Sequence, residues 1–174
     1  KRPYLLVGQG VLISGAQKTL LSLAEQADIP VASTLLGLSA VPVSHPLYVG
    51  MLGMHGNYAP NLLTNEADVI IAVGMRFDDR VTGDLSSYAK QAKVIHIDID
   101  SSEINKNVRA DVALIGDAKT ILEQLTPLIK TRQHAVWRER FLKCYEQEKK
   151  QVIEPELMPH TGPIKMAEVI ATLN

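Results

Sequence analysis

A three-layer α/β fold, with a mostly parallel sheet and helices on both faces, is what this sequence predicts, and three observations predict it. Short apolar runs at residues 4–7, 29–33, 68–73, 93–97 and 112–115 alternate with stretches of helical period. Strands that alternate with helices imply a parallel sheet. The run at 68–73 is apolar almost throughout, as a strand buried on both faces is. Every run then exits into glycine, aspartate or a small polar residue, and parallel strands bring all such exits to one rim.

The elements follow in order. The first run, 4–7, leads into Gly8-Gln9-Gly10. Ser14 and Gln17 have the spacing of a capping box, which predicts a helix over 14–27 with Leu20, Leu23, Ala24 and Ala27 on one face. Strand 29–33 passes into Thr34-Leu35-Leu36-Gly37, and a connector rich in Gly, Pro and His fills 38–56. A helix over 57–67 precedes strand 68–73. Strand 93–97 runs into Asp98-Ile99-Asp100, where Asp100 or Ser101 can cap a short turn holding Glu103. After strand 112–115, Asp117 is a good N-cap for a helix over 118–129 with Ile121, Leu122, Leu125 and Ile129 as its buried stripe. Residues 131–151 are charge-rich, with Trp137, Phe141, Cys144 and Tyr145 at helical spacing, and predict an amphipathic helix lying on the domain. Residues 152–163 carry three prolines and read as a linker. Thr161 then caps a last helix with Met166, Val169, Ile170 and Leu173 on one face.

Composition narrows the function. The chain is 46% hydrophobic and 21% charged, as soluble globular domains are, and 174 residues suffice for one domain with an appendage. With 18 basic and 19 acidic residues it offers no general field for nucleic acid or acidic membranes. Cys144 is the only cysteine, which excludes an intrachain disulfide and a Cys-based metal site and suits a reducing, cytoplasmic setting. No apolar run approaches the ~20 residues that cross a bilayer, and no signal peptide is visible. The chain opens at Lys1 and closes in a helical pattern at Asn174. Both ends are therefore expected to be cuts through a longer protein, or the result of processing.

The most informative stretch is Gly74-Met75-Arg76-Phe77-Asp78-Asp79-Arg80-Val81-Thr82-Gly83. Two arginines and two aspartates bracketed by glycines at a strand exit read as a ligand loop. Arg76 or Arg80 can grip a diphosphate, and Asp98 is placed for ribose hydroxyls. For any single exit, ordinary turn chemistry explains the glycine or aspartate; the five together favour a nucleotide cofactor. Gly8-Gln9-Gly10-Val11-Leu12-Ile13 has Ile13 where a third glycine belongs, so the G-x-G-x-x-G dinucleotide fingerprint is absent. His96, Asp98 and Asp100 share a strand face, yet the ligand cluster for a metal is incomplete. No metal is expected there: His96 reads as a satisfied polar group, Asp98 as a hydroxyl ligand and Asp100 as a cap. His55, in Gly50-Met51-Leu52-Gly53-Met54-His55-Gly56, lacks a nucleophile elbow nearby and suits contact with a flat cofactor; Met51 reads as core.

Those residues carry a resemblance. Thr34-Leu35-Leu36-Gly37-Leu38, His45-Pro46-Leu47-Tyr48, the Gly50–Gly56 block, the Gly74–Gly83 block and His96-Ile97-Asp98-Ile99-Asp100 stand in the order found in the large catalytic subunits of the acetolactate synthase (acetohydroxyacid synthase) family. Residues 3–130 resemble that family well and the tail more loosely. The Arg-Phe-Asp-Asp-Arg and Gly-Met-His-Gly blocks are similar to the biosynthetic, FAD-containing enzymes.

The resemblance implies a Rossmann-like, DHS-like NAD/FAD-binding domain at 1–130, the middle of three α/β domains, then the helix and linker at 131–163 and the entry to a thiamine-binding domain at 164–174. It implies FAD here, with thiamine diphosphate and Mg²⁺ held by the N- and C-terminal domains. FAD contacts are implied at Gly8, Gln9, Gly10, Thr34, Leu35, Leu52, Gly53, Met54, His55, Gly74, Met75, Arg76, Phe77, Asp78, Asp98, Ile99 and Asp117, with Arg76 on the diphosphate. Met54, Asp79 and Arg80 match positions lining a substrate channel. Gln9 stands where the family commonly has glycine, and Ser39 and Asn57 where Gly and Thr are commoner. A homodimer or homotetramer and a regulatory small subunit are the implied partners. The implied reaction condenses pyruvate, after decarboxylation, with pyruvate or 2-oxobutyrate in branched-chain amino acid synthesis. The thiamine-binding Gly-Asp-Gly is absent, so this chain alone is expected to be inert. Three alternatives stay open: a structural middle domain with an unfilled FAD site, the central domain of another thiamine-diphosphate carboligase or oxidase, and a stand-alone nucleotide-binding module.

Overall fold

A computed structural model describes residues 1–157 and 162–173. Among them, six strands form one sheet: β1 (Pro3–Val7), β2 (Val31–Ser33), β3 (Tyr48–Met51), β4 (Val69–Val73), β5 (Lys93–Asp98) and β6 (Val112–Ile115). All pairings are parallel, in the order β3-β2-β1-β4-β5-β6. That is the doubly wound order, which reverses direction between β1 and β4, and such sheets hold ligands outside the strand ends at that point.

The three layers follow from strand alternation. On one face Leu5, Val7, Val31, Ile71, Val73 and Ile97 pack against α1 (Gln9–Ile13), α2 (Gln17–Ala27) and α5 (Ala118–Leu125), through Val11, Leu20, Leu23 and Leu122. On the other, Tyr4, Leu6, Ala32, Ile70, Ala72 and Val94 meet α3 (Tyr58–Thr64) and α6 (Ala135–Glu148), through Ala59, Leu63, Trp137 and Phe141. Both faces are covered, which is why the central strands are apolar at nearly every position.

Four expectations about elements are corrected. The connector at 38–56 contains β3, disguised by Gly50 at φ +112° and by a register shift opposite Val31 and Ala32 that leaves Val49 without a Cα partner. The helix expected from Ser14 is two helices. Ser14 closes α1, its N–H and its hydroxyl both donating to the Gly10 carbonyl at 3.0 and 2.7 Å, and Ala16 is the N-cap of α2 without a side-chain bond. Two glycines around residue 9 argue against a helix on propensity alone, and tertiary packing overrides them. The helix after Asp117 ends at Leu125 and tightens into a 3₁₀ turn, Thr126–Leu128, at Pro127, which has no N–H to continue the ladder.

The last correction concerns the tail. α6 is extended by a wider turn, Lys149–Ile153, and by α7 (Glu154–Leu157), so residues 152–157 are helical rather than linker. The capping expected of Thr161 lies outside the described residues. α8 (Met166–Leu173) is present, with Met166, Val169, Ile170 and Leu173 exposed. α6 itself is bound to the sheet: Trp137 Nε1 donates to the Pro3 carbonyl at 2.8 Å, and Phe141 lies 5.2 Å from the Tyr4 ring. No described helix is long and apolar enough to cross a membrane.

Candidate cofactor cleft

The strand exits surround a cleft of about 790 Å³. Its floor lies at the switch between β1 and β4. Gly8 and Gly10 meet Gly74 there: the Gly8 N–H donates to the Val73 carbonyl at 3.0 Å, and the Gly10 N–H to the Gly74 carbonyl at 2.9 Å. A Cβ on Gly8 would stand 2.3 Å from the Gly74 oxygen, and one on Gly10 2.6 Å from the Gly74 Cα. These glycines, read from sequence as admitting a ligand, admit the neighbouring loop. Gly37 does the same against Val7, where a Cβ would lie 2.3 Å from the carbonyl oxygen.

The loop after β4 alternates beyond the end of its strand. Met75 and Phe77 are buried, whereas Arg76 and Asp78 line the cleft. Arg76 is 61% exposed, and its Nε lies 3.3 Å from Asp78 Oδ2, leaving the outer guanidinium nitrogens for a ligand. Asp78 Oδ1 is buried with no partner among the described residues. The Met75 carbonyl accepts from His96 Nε2 at 2.9 Å and the Phe77 carbonyl from Asn107 Nδ2 at 2.7 Å. His96 is fully buried, edge-on to Phe77 at 5.1 Å. Its Nε2 therefore carries the proton, since a carbonyl only accepts, while Nδ1 has no partner among the described residues. His96 is thus half satisfied rather than satisfied.

The other exits complete the walls. Thr34 Oγ1 accepts from the Gly37 N–H and caps a 3₁₀ turn, Leu35–Gly37, that presents Leu35 and Leu36. The 52–55 segment is tied to the Arg80 carbonyl by the Met54 N–H at 2.7 Å. Asp98 Oδ1 accepts from the Asp100 N–H at 2.9 Å, and Asp98 Oδ2 stands 3.9 Å from His96 Nε2. Asp100 caps its own turn through the Ser102 N–H, and the Ser102 hydroxyl together with that N–H holds its carboxyl below the usual carboxylate range. Asp117 caps α5 through the Thr120 N–H at 2.9 Å. The rim is apolar: Ile13, Leu35, Met54 and Ile99 are all more than half exposed.

Of the residues singled out from sequence, Gly8, Gln9, Gly10, Thr34, Leu35, Leu52, Gly53, Met54, His55, Gly74, Met75, Arg76, Asp78, Arg80, Asp98, Ile99 and Asp117 line this cleft. Phe77 does not; its ring is in the core with His96 and Tyr88. Asp79 faces a smaller depression of about 340 Å³ instead, and Arg80 and Met54 stand on the wall between the two. Sequence reasoning missed Ile13, Ser14, Leu36, Val81, Glu103 and Ala118 on the lining, as well as Met51, which it read as core, and Asp100, which it read only as a cap. A helical reading of 9–13 would have found Ile13, one turn after Gln9. Among the described residues no three His, Cys, Asp or Glu side chains are grouped to hold a metal ion.

Comparison with known proteins bears on about the first three quarters of the chain or more. Residues 1–125 match the family of the thiamine pyrophosphate enzyme central domain. The chain belongs to this family. As a central domain it is 51% identical over 143 residues to a probable acetolactate synthase large subunit of Methanocaldococcus jannaschii, which covers 80% of this chain and 24% of that protein. It is 46% identical to the acetolactate synthase isozyme 3 large subunit of Escherichia coli, over 74% of this chain and 22% of that one. The Lactococcus lactis large subunit is also 46% identical, over 76% and 23%. The central domain thus spans about a quarter of the length of the curated relatives it matches.

Two of the three departures, Ser39 and Asn57, have structural readings. Ser39 stands at φ +74°, a left-handed conformation that favours glycine. Asn57 Oδ1 accepts from the Met51 N–H at 3.0 Å, fastening the end of β3 to the start of α3.

Proposed function

We propose that this chain is the FAD-binding central domain of a thiamine-diphosphate-dependent acetolactate synthase. Family membership and the named relatives support the enzyme class. The observation that carries the FAD reading is the gathering of six strand exits around one cleft, with the outer guanidinium nitrogens of Arg76 and the side chain of its partner Asp78 on the lining. About 790 Å³ is within the range of small-molecule and cofactor sites. Its apolar rim suits flat ring systems, and its charged floor suits phosphates and hydroxyls, so the residues present fit the group.

In this reading Arg76 holds the diphosphate and Asp98 Oδ2 accepts from ribose hydroxyls. Asp78 holds the Arg76 guanidinium in place, and Ile13, Leu35, Met54 and Ile99 exclude water from the rings. When bound, the flavin supplies a flat ring system that takes no net redox part in the condensation. Met54, Asp79 and Arg80 face a substrate channel completed by the N- and C-terminal domains, with Arg80 for a substrate carboxylate. Those domains hold thiamine diphosphate and Mg²⁺, and the products are 2-acetolactate or 2-aceto-2-hydroxybutyrate. Residues 1–130 form the cofactor domain, 131–163 a helix and linker, and 164–174 the entry to the next domain. The chain alone is inert; the whole enzyme is a cytoplasmic homodimer or homotetramer with a regulatory small subunit.

The test is titration of FAD by quenching of its fluorescence. Saturable binding is expected, weakened at least tenfold by Arg76→Ala, since a hydrogen bond to a charged group contributes about 1.5–3 kcal/mol. Binding that is unaffected by Arg76→Ala removes Arg76 from the site. No saturable binding by the full-length polypeptide overturns the FAD reading.

A further inference from the structure

The loop after β4 has left the sheet, so no neighbouring strand is available to receive its carbonyls. Met75 and Phe77 nevertheless point their side chains into the core, 4% and 3% exposed, and their carbonyl groups still need partners. Two side chains from elsewhere in the chain supply them. His96, on β5, donates through Nε2 to the Met75 carbonyl at 2.9 Å. Asn107, on the turn between β5 and β6, donates through Nδ2 to the Phe77 carbonyl at 2.7 Å. The spacing of the two struts, residues i and i+2 of the loop, is that of a β-ladder. It imposes on residues 75–78, after the left-handed Gly74, the alternation of a strand: odd positions inward, Arg76 and Asp78 outward to the cleft.

We propose that His96 and Asn107 are positioning residues for the cofactor cleft, a side-chain ladder that sets a strand-like alternation on residues 75–78, beyond the left-handed turn at Gly74, and so aims Arg76 and Asp78 at the ligand. Three further observations support a specific role for His96 rather than general packing. Its ring is fully buried, and the cleft residue Asp98 stands 3.9 Å from the same Nε2 through its Oδ2. Its Nδ1 has no partner among the described residues, a cost that the fold tolerates for the Nε2 bond. Its ring packs edge-on against Phe77, so it touches both inward residues of the loop segment it supports. Both struts reach the loop from 21 and 30 positions away, which ties the β4 exit to the β5 side of the cleft where Asp98 stands.

This inference rests on the FAD reading for its ligand, but the loop's order can be measured without a ligand. The experiment compares wild type, His96→Leu, His96→Gln and Asn107→Ala by FAD titration and by amide hydrogen exchange. Gln carries an N–H donor at the ε position, as His96 does. His96→Leu is expected to weaken FAD about tenfold, as loss of a strut that leaves a buried carbonyl unpaired does. It is also expected to speed exchange across residues 77–83, while β4 amides keep their protection. His96→Gln is expected to bring both readouts back to within about threefold of wild type. Wild-type exchange at 77–83 in His96→Leu overturns the proposal, as does a Gln variant no better than Leu. If the wild type does not take up FAD, that failure belongs to the FAD reading, and the exchange data still decide the ladder. If His96→Leu does not fold, Asn107→Ala decides it: its site is on an exposed turn, and unchanged exchange at 77–83 overturns the proposal.

Discussion

Replacing Gly8 by alanine is the sharpest test of how the cleft floor is built. Gly8 has φ −118°, an ordinary extended conformation open to any residue, so backbone strain contributes nothing to the expected effect. Space alone decides it. A Cβ at this position would lie 2.3 Å from the Gly74 carbonyl oxygen, 2.5 Å from the Met75 Cβ and 2.7 Å from the Met75 Cα. Two of these three neighbours are backbone atoms of a loop fixed by the Gly8 and Gly10 N–H bonds, so neither chain can yield without breaking them. Overpacking typically costs 1–3 kcal/mol, and the double backbone clash places Gly8→Ala at about 3 kcal/mol. With a urea slope of roughly 2 kcal/mol per molar, the midpoint falls by about 1.5 M. Urea unfolding followed by far-ultraviolet circular dichroism measures it. Gly15→Ala is the control: no atom lies within 4 Å of its Cβ, and only φ +65° opposes the substitution, at about 1 kcal/mol. A Gly8→Ala midpoint within 0.3 M of wild type would refute the steric reasoning.

Other expectations follow from single contacts. Trp137→Phe removes the donor to the Pro3 carbonyl and is expected to cost about 2 kcal/mol by circular dichroism; Trp137 is the only tryptophan, so its fluorescence is lost too. The Lys93 ammonium, with the Val94 N–H, holds the Asp111 carboxyl below its usual range. A depressed folded value contributes stability above the unfolded value, near pH ~4, that is lost as pH falls through the folded one. Asp111→Asn is therefore expected to flatten the loss of urea midpoint between pH 5 and 3, and an unchanged acid slope counts against the pair. Burial pushes the Cys144 thiol up, with Glu66 adding to this and Arg140 opposing it. Labelling by a disulfide reagent at pH 8 should be slow in the native chain and fast in urea, whereas equal rates would contradict its burial.

Much of the architecture was legible locally. Five of six strands announced themselves as apolar runs: the central ones because a strand covered on both faces is apolar whatever its neighbours, and the edge strand β6 as Val-Ala-Leu-Ile although most of it is exposed. The sixth, β3, was hidden because Gly50 and a register shift break its pattern at a sheet edge. The candidate site residues were implied by the family resemblance, several of them also by their position at strand exits, and all but Phe77 and Asp79 line the main cleft. Phe77 was misplaced because nothing local tells which way a residue beyond the last ladder bond will point. Ser14 illustrates the same limit: its spacing to Gln17 fits a capping box, but the helix that α1 forms across Gly10 claims its hydroxyl first.

The sequence by itself determined the alternation of strands and helices, the common rim of their exits and the motif order shared with the thiamine pyrophosphate enzymes. Those properties depend on periodicity and on residue type within a few positions. The tertiary structure alone decided the strand order, the use of Gly8, Gly10 and Gly74 as facing surfaces, and the support of the Arg76 loop by His96 and Asn107. Each of these joins residues at least 17 positions apart, and contacts over that distance are set by which chains the folded sheet brings together.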